Sequence, residues 1–423
     1  MIRTLAFILS GPFARATLTN FFFFFSLNGF VLLPIYVKTL GGDEADIGMI
    51  QAMYSAAGII CQPLIGQWVD RLGRRFFMVL GAACLAISGA VFTLSASVVL
   101  FAILRALHGV AFSAFFVANY VHIVDLAPVE RRGWALGIFG LSGLLATALA
   151  PLAGEYAIRH WGFPALFAAL TILAGGALAA VLTARDIRPP SLEGEPGLTS
   201  VRQVLRALLR THMAVAFFFG LGTGVIFTFL PTFGELLGVR GVGLFYTAYA
   251  VAAMLVRVMG GELIDTLGRR AVIIPSMFVQ AAATMVLALL AFVAGANPSF
   301  PVLPFLFLAG FLAGAAHGFL YPALSALLMD VTAETRRASV VGIFSSVFLL
   351  GNALGAIAFG FVAHGFGYRV LWSSLAGVLL AGFLYSFRLR VGLRRGSRRR
   401  RAYPRRDDAD ETGAVGGDAW PRG

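Results

Sequence analysis

A short charged phrase occurs twice in this chain. It reads G-Q-W-V-D-R-L-G-R-R from Gly66 to Arg75 and G-E-L-I-D-T-L-G-R-R from Gly261 to Arg270. Gly66, Asp70, Gly73, Arg74 and Arg75 correspond to Gly261, Asp265, Gly268, Arg269 and Arg270, at an offset of 265 − 70 = 195 residues. The sequence around each copy is almost wholly apolar. A polar phrase returning half a chain later in such surroundings requires two similar halves, each with the same charged connection between hydrophobic segments. Two further echoes keep the same order. Glu130 to Phe139 (E-R-R-G-W-A-L-G-I-F) returns as Thr335 to Phe344 (T-R-R-A-S-V-V-G-I-F), each preceded by an acid, Asp125 and Asp330, and a His-Gly pair stands at His108 and His317.

The apolar surroundings decide the solvent. With 59% hydrophobic and 13% charged residues and a mean hydropathy of +0.86, a chain of 423 residues lacks the polar surface of a soluble globule. It is read as an all-α integral membrane protein. Runs of about 20 apolar residues fall at Thr17–Val37, Ile47–Val69, Phe76–Ala96, Val98–Ile123, Trp134–Tyr156 and Pro164–Ala184. After a polar connector they resume at His212–Phe233, Val242–Ile264, Ala271–Gly295, Val302–Met329, Ser339–Val362 and Val370–Phe387. The expected domains are a six-helix lobe over 1–184, a linker over 185–210, a second six-helix lobe over 211–387 and a tail over 388–423.

A net charge of +13 suggests nucleic acid until the arginines are located. They lie in short connectors and in the tail, the pattern of a multi-spanning protein, so nucleic acid is excluded as a partner. One side of the expected bilayer holds Arg71, Arg74, Arg75, Arg131, Arg132, Arg269, Arg270, Arg336, Arg337 and the connector arginines; the other holds only Lys38, Arg159, Arg240 and Arg369. The first, basic end is assigned to the cytoplasm with both termini. In the connector, Val201, Val204, Leu205 and Leu208 share one helical face, as in a short helix lying on the membrane surface. The tail, with Arg398 to Arg401 in a row before an acidic, Gly-rich end, reads as disordered and drawn to anionic lipid. Cys61 and Cys84 lie in apolar segments and read as small buried hydrophobes. The N-terminal run has no small-residue cleavage site, so an uncleaved first helix is expected.

About twelve helices in two halves, with G-x-x-x-D-x-x-G-R-R after the second and eighth, resemble the major facilitator superfamily. The resemblance covers Thr17 to Phe387. It implies a two-lobed fold, a solute cavity near the midplane and rocker-type alternating access. The family's fourth-helix motif, R-x-x-Q-G, is similar to Arg105, His108 and Gly109 here, with His in the place of Gln. Its fifth-helix exporter motif is matched by Gly137, Pro151 and Gly154, while Ala146, Ala150 and Glu155 stand where Gly is usual. The doubled loop implies a gate: Asp70 bonding a helix N-terminus across the lobes, Arg74 or Arg75 pairing with Asp125, Gly66 permitting close approach and Gly73 the turn, with Asp265, Arg269 and Asp330 as the counterparts.

For the solute, the sharpest residue is Arg105. A guanidinium in an apolar helix must face protein or water. With His108, Phe112, Phe115, Asn119 and His122 it forms a stripe at helical spacing, which suits a cavity wall or, alternatively, a structural arginine satisfied by neighbouring helices. Acids are absent from the middle of every expected helix, Glu155 and Glu235 lying near the outer ends, and the first helix offers Asn20 and Asn28 instead. That disfavours a cationic solute and favours an anionic, zwitterionic or neutral one. His108 and His317 are the central candidates for proton coupling. Arg257 reads equally as a second anion contact or as a pairing residue near the basic end.

No metal constellation, nucleophile triad or phosphate-cradling loop is present, so neither enzyme activity nor a cofactor is expected; a proton gradient would supply the energy. The expectation is a monomeric secondary transporter of a bacterial inner membrane, exporting a small organic solute by proton antiport. Uptake of an organic anion or neutral solute is the alternative within transport, and a non-transporting receptor on the same fold the alternative outside it.

Overall fold

The computed structural model describes residues 11–94, 96–127, 132–183, 210–297, 299–330 and 337–389. Within that set it is helical throughout. Helix α1 (Gly11–Gly29) runs through a 3₁₀ turn into α2 (Leu33–Thr39), followed by α3 (Glu44–Leu72), α4 (Arg74–Leu94), α5 (Val98–Leu126) and α6 (Arg132–Leu182). The second half comprises α7 (Thr211–Leu236), α8 (Gly243–Met259), a single turn-and-a-half α9 (Gly261–Thr266), α10 (Arg269–Ala296), α11 (Val302–Asp330) and α12 (Arg337–Ser386).

Nine of the described helical segments are long and apolar enough to cross a bilayer. Helices α6 and α12 have 51 and 50 residues, so unbroken each would reach about 75 Å, more than twice the roughly 30 Å apolar slab. Each breaks at a glycine: Gly162 at φ 79° and ψ −179°, and Gly367 at φ 78° and ψ 176°. With each arm counted separately and the shorter α8 included, the apolar segments number twelve. The eighth expected span is not continuous to Ile264. It stops at Met259 and restarts at Gly261, and at the Gly260 between them a Cβ would stand 2.7 Å from the Phe319 ring.

The duplication read from sequence is repeated in the backbone. Gly73 (φ 91°, ψ 153°) and Gly268 (φ 88°, ψ 152°) make the same left-handed turn before α4 and α10, a conformation that L side chains rarely adopt. Arg74 Nη1 donates to the Val69 carbonyl at 3.3 Å, and Arg269 Nη1 to Ile264 at 2.7 Å. Arg75 caps the carbonyl end of α6 at Leu182, as Arg270 caps α12 at Phe387 (2.9 Å). Those ends, with Gly11, make the basic end of the bundle. The far end carries the loops after Thr39, Leu94, Leu236 and Ala296 and the breaks at Gly162 and Gly367. There α3 starts with a capping box, Asp43 accepting from Asp46 N–H at 2.9 Å and Asp46 from Asp43 N–H at 3.1 Å.

The halves meet along two seams, α3 against α12 and α6 against α8. Both are tight at the far end and widen towards the basic end. On α3, a Cβ at Gly48 would lie 2.2 Å from the Ala356 carbonyl, one at Gly58 would meet only the Leu349 side chain at 2.9 Å across the seam, and one at Gly66 would meet nothing within 4 Å. Along α6 and α8 the order is the same: Gly243 lies against the Leu152 backbone (3.0 Å from a Cβ to N), Gly140 meets only Arg257, and Gly137 meets nothing. By the level of Gly66 the helices have diverged, and Gly261 and Gly137 likewise face open space.

Candidate functional site

Between the seams, in the far half, lies a cavity of about 180 Å³ whose wall comes from both halves. Helices α1 and α2 give it Asn28, Val31 and Pro34; α3 gives Gln51 and Tyr54; α5 gives Arg105; α7 gives Thr223 and Thr228; α12 gives Asn352. The polar wall contains amides, hydroxyls and one guanidinium, and among the described residues no carboxylate lines it.

Arg105 is buried, 8% exposed. Its Nη2 donates to Gln51 Oε1, Nη1 lies 3.4 Å from His108 Nδ1, and Cζ stands 4.7 Å from the centre of the Tyr54 ring. These partners are neutral, so the positive charge is solvated by dipoles and an aromatic face without being cancelled. Gln51 continues the chain of contacts: its Nε2 approaches Asn352 Oδ1 at 3.5 Å, and Ser55 Oγ donates to the same oxygen at 3.0 Å. Asn352 thus joins the α3–α12 seam to the arginine. Asn28 Nδ2 is anchored by Thr147 Oγ1 at 2.9 Å, which fixes the amide that faces the cavity.

The rest of the α5 stripe turns elsewhere. His108 is fully buried behind Arg105, between the rings of Phe30 (4.4 Å) and Phe92 (5.6 Å), with its Nε2 unpartnered among the described residues. Phe115 stacks on Phe23 at 3.8 Å, and Phe112 packs against Phe116 and edge-on to Phe24. Asn119, fully buried, donates to Asn20 Oδ1 at 3.3 Å, while Asn20 donates to Ser142 Oγ at 2.9 Å. The expectation that Phe112 and Asn119 line the cavity is corrected. Neither lines it: Asn119 is turned to Asn20 of α1, and Phe112 packs on Phe24 of α1 and Tyr54 of α3.

Glu155, a departure from the exporter pattern, lies on the α6–α8 seam. Its Oε1 accepts from the Gly243 N–H at 3.0 Å, where the first amides of α8 are free to bond. Below it Thr247 Oγ1 donates to the Ala148 carbonyl at 2.9 Å. At the far rim His364 Nδ1 and Asp43 Oδ2 are 3.1 Å apart, both substantially exposed. Pro151 and Gly154 are buried one turn away, a Cβ at Gly154 meeting Leu32 at 2.7 Å.

At the basic end Arg74 is the residue that takes Asp125, Nε to Oδ2 at 3.1 Å. The side chains of Asp70, Asp265 and Asp330, and the expected interfacial helix and tail, lie outside the described residues. In the basic half of the seam, Arg257 projects from α8 towards Gly140 of α6. His317 of α11 is half-buried near it, ringed by Phe219 (5.2 Å) and Tyr249 (5.5 Å), with Nδ1 unpartnered among the described residues.

Gln51, Tyr54, Ser55 and Asn352 were not among the residues singled out from sequence. Gln51, Tyr54 and Ser55 lie three and four residues apart, one helical face, which was a usable signal; a lone Asn in α12 gave none.

Comparison with known proteins places these features. The family model described as Major Facilitator Superfamily matches residues 16–299 and again 213–416. The multidrug resistance protein MdtG of Salmonella paratyphi A is 27% identical over 373 residues, covering 84% of this chain and 89% of that protein. Among solved structures, the nucleoside transporter NupG superposes with a TM-score of 0.72 at 16% identity, covering 89% of this chain and 99% of that one. A D-xylose-proton symporter gives a TM-score of 0.70 at 19% identity, with 89% and 96% covered.

Proposed function

The chain belongs to the Major Facilitator Superfamily, and on that premise we propose that it is a secondary transporter exporting a small organic solute by alternating access, with protons moving in exchange. The observation that carries the transport reading is the pair of seams, closed at the far end over a polar cavity built by both halves and open towards the basic end. That is the form of one end state of a rocking pair. Its counterpart would close the basic end through the Gly66–Arg75 and Gly261–Arg270 connections and part the far-end contacts of Glu155 and Asn352. Export draws its support from the multidrug resistance relative over most of both chains. The basic end is taken as cytoplasmic, in a bacterial inner membrane, on the arginine distribution.

The cavity wall favours a second reading on one point. A wall with Arg105 and no carboxylate suits an anionic or neutral solute better than a lipophilic cation, in either direction of transport. Counterflow into proteoliposomes, with and without a pH gradient, tests the proposal. Solute accumulation inside vesicles driven by protons leaving them supports antiport; accumulation in the direction of proton flow would replace export with symport, and no exchange of any solute would remove the transport reading.

A further inference from the structure

A second arginine lies deeper in the same seam, and its surroundings are less complete than those of Arg105. Arg257 is half-buried on α8, and among the described residues its guanidinium has no hydrogen bond and no ion pair. Its electrostatic neighbours are the phenols of Tyr249 on α8 and Tyr321 on α11, and the half-buried imidazole of His317. Across the seam it meets Gly140, where an added Cβ would stand 3.5 Å from Nη1 with no other atom within 4 Å. The carboxylates described in this region are committed: Asp125 to Arg74 and Glu155 to the α8 N-terminus.

An arginine in the apolar slab costs several kcal/mol unless water or an opposite charge meets it. Arg257 faces the widening, solvent-reachable part of the seam, so water meets it when the site is empty. What it lacks is an anion, and Gly140 puts no side chain between the guanidinium and the widening seam, where Tyr249 and Tyr321 flank it. Arg105 lies about 10 Å from the far end of α5, and Arg257 about 21 Å from the far end of α8, at 1.5 Å per residue. Two guanidinium groups without carboxylate partners therefore stand at successive depths along the seam.

We propose that Arg257 is an anion-receiving station on the solute path, with Gly140 providing the space and Tyr249 and Tyr321 flanking it, and that the solute is a carboxylate on an apolar, ring-sized body. The inference rests on the transport reading for its place in the path, but not on the direction of transport.

The test uses the full chain in nanodiscs and matched probes: 1-naphthoate and benzoate as carboxylates, their primary amides as neutral isosteres, and benzylammonium as the cation. The carboxylates are expected to raise the melting temperature, with their amides and the cation producing little shift. R257Q should weaken carboxylate binding at least tenfold, and G140L, which sets a side chain against the guanidinium while keeping its charge, should do the same. Stabilisation by the cation or the amides equal to that by the carboxylates overturns the inference, as does undiminished carboxylate binding in both variants. Counterflow with the same probes separates the two readings. Carboxylate binding without exchange leaves the station standing and removes transport, whereas exchange of other solutes with no carboxylate response leaves transport standing and removes the station.

Discussion

Replacing Glu155 by Gln tests what holds the far end shut. The side chain keeps its shape and one carbonyl acceptor but loses its charge at the first amides of α8, where Oε1 now accepts from Gly243 N–H at 3.0 Å. A hydrogen bond to a charged acceptor contributes about 1.5–3 kcal/mol and a neutral one about 0.5–1.5. The charge–dipole attraction at a helix N-terminus adds about 0.3–1 kcal/mol. The expected loss is therefore roughly 1.5–2.5 kcal/mol, or about a 10- to 60-fold fall in the ratio of closed to open far ends. The exposed Asp43–His364 pair cannot compensate, since such pairs contribute at most about 1 kcal/mol. Spin labels at W161C and R240C, both at exposed far-end positions, with Cys61 and Cys84 replaced by Ala, would report the separation across the seam. E155Q should convert a single short distance into a distribution dominated by a longer one. A G243L control wedges the same seam through the Leu152 backbone. If G243L lengthens the distance and E155Q leaves the distribution unchanged, the carboxylate is not the latch.

Other outcomes follow from the same geometry. Removing the shared acceptor in N352A frees Ser55 and Gln51 together and should favour far-end opening by about thirtyfold, at about 1 kcal/mol for each neutral bond lost, read with the same labels. R105A should weaken solute binding by ten- to a hundredfold, and R105K should fail to restore it, because one ammonium cannot address Gln51, His108 and the Tyr54 face from a planar fork; equal binding in R105K would refute a directional role. D70N is expected to cut flux at least tenfold in vesicles holding normal amounts of inserted protein, and wild-type flux would reduce the repeated loop to a topology signal.

Much of the fold is legible in the residues because the membrane restricts what they can do. Apolar runs of span length must be helices, since only helices and closed barrels satisfy the backbone in lipid. The repeated connector therefore located the two turns at Gly73 and Gly268, and the arginines that cap α6 and α12 from Arg75 and Arg270 followed the same repeat. Arg105 was legible for the same reason: a cation inside such a run must face protein or water. The direction of each helix face was not legible. Lipid is as apolar as the protein interior, so a helix such as α5 carries Phe and Ala towards both, and the period that separates core from solvent in a soluble protein is nearly absent. Phe112 and Asn119 shared a stripe with Arg105 by spacing, yet Phe24 and Asn20 of α1 and Tyr54 of α3 take them up as packing and hydrogen-bond partners. Only the tertiary structure decided which residues complete the site: Asn352 meets Ser55 from 297 residues away, and Glu155 reaches the start of α8 from 88. Such pairs depend on how the two halves lie against each other, which no local pattern in either half encodes.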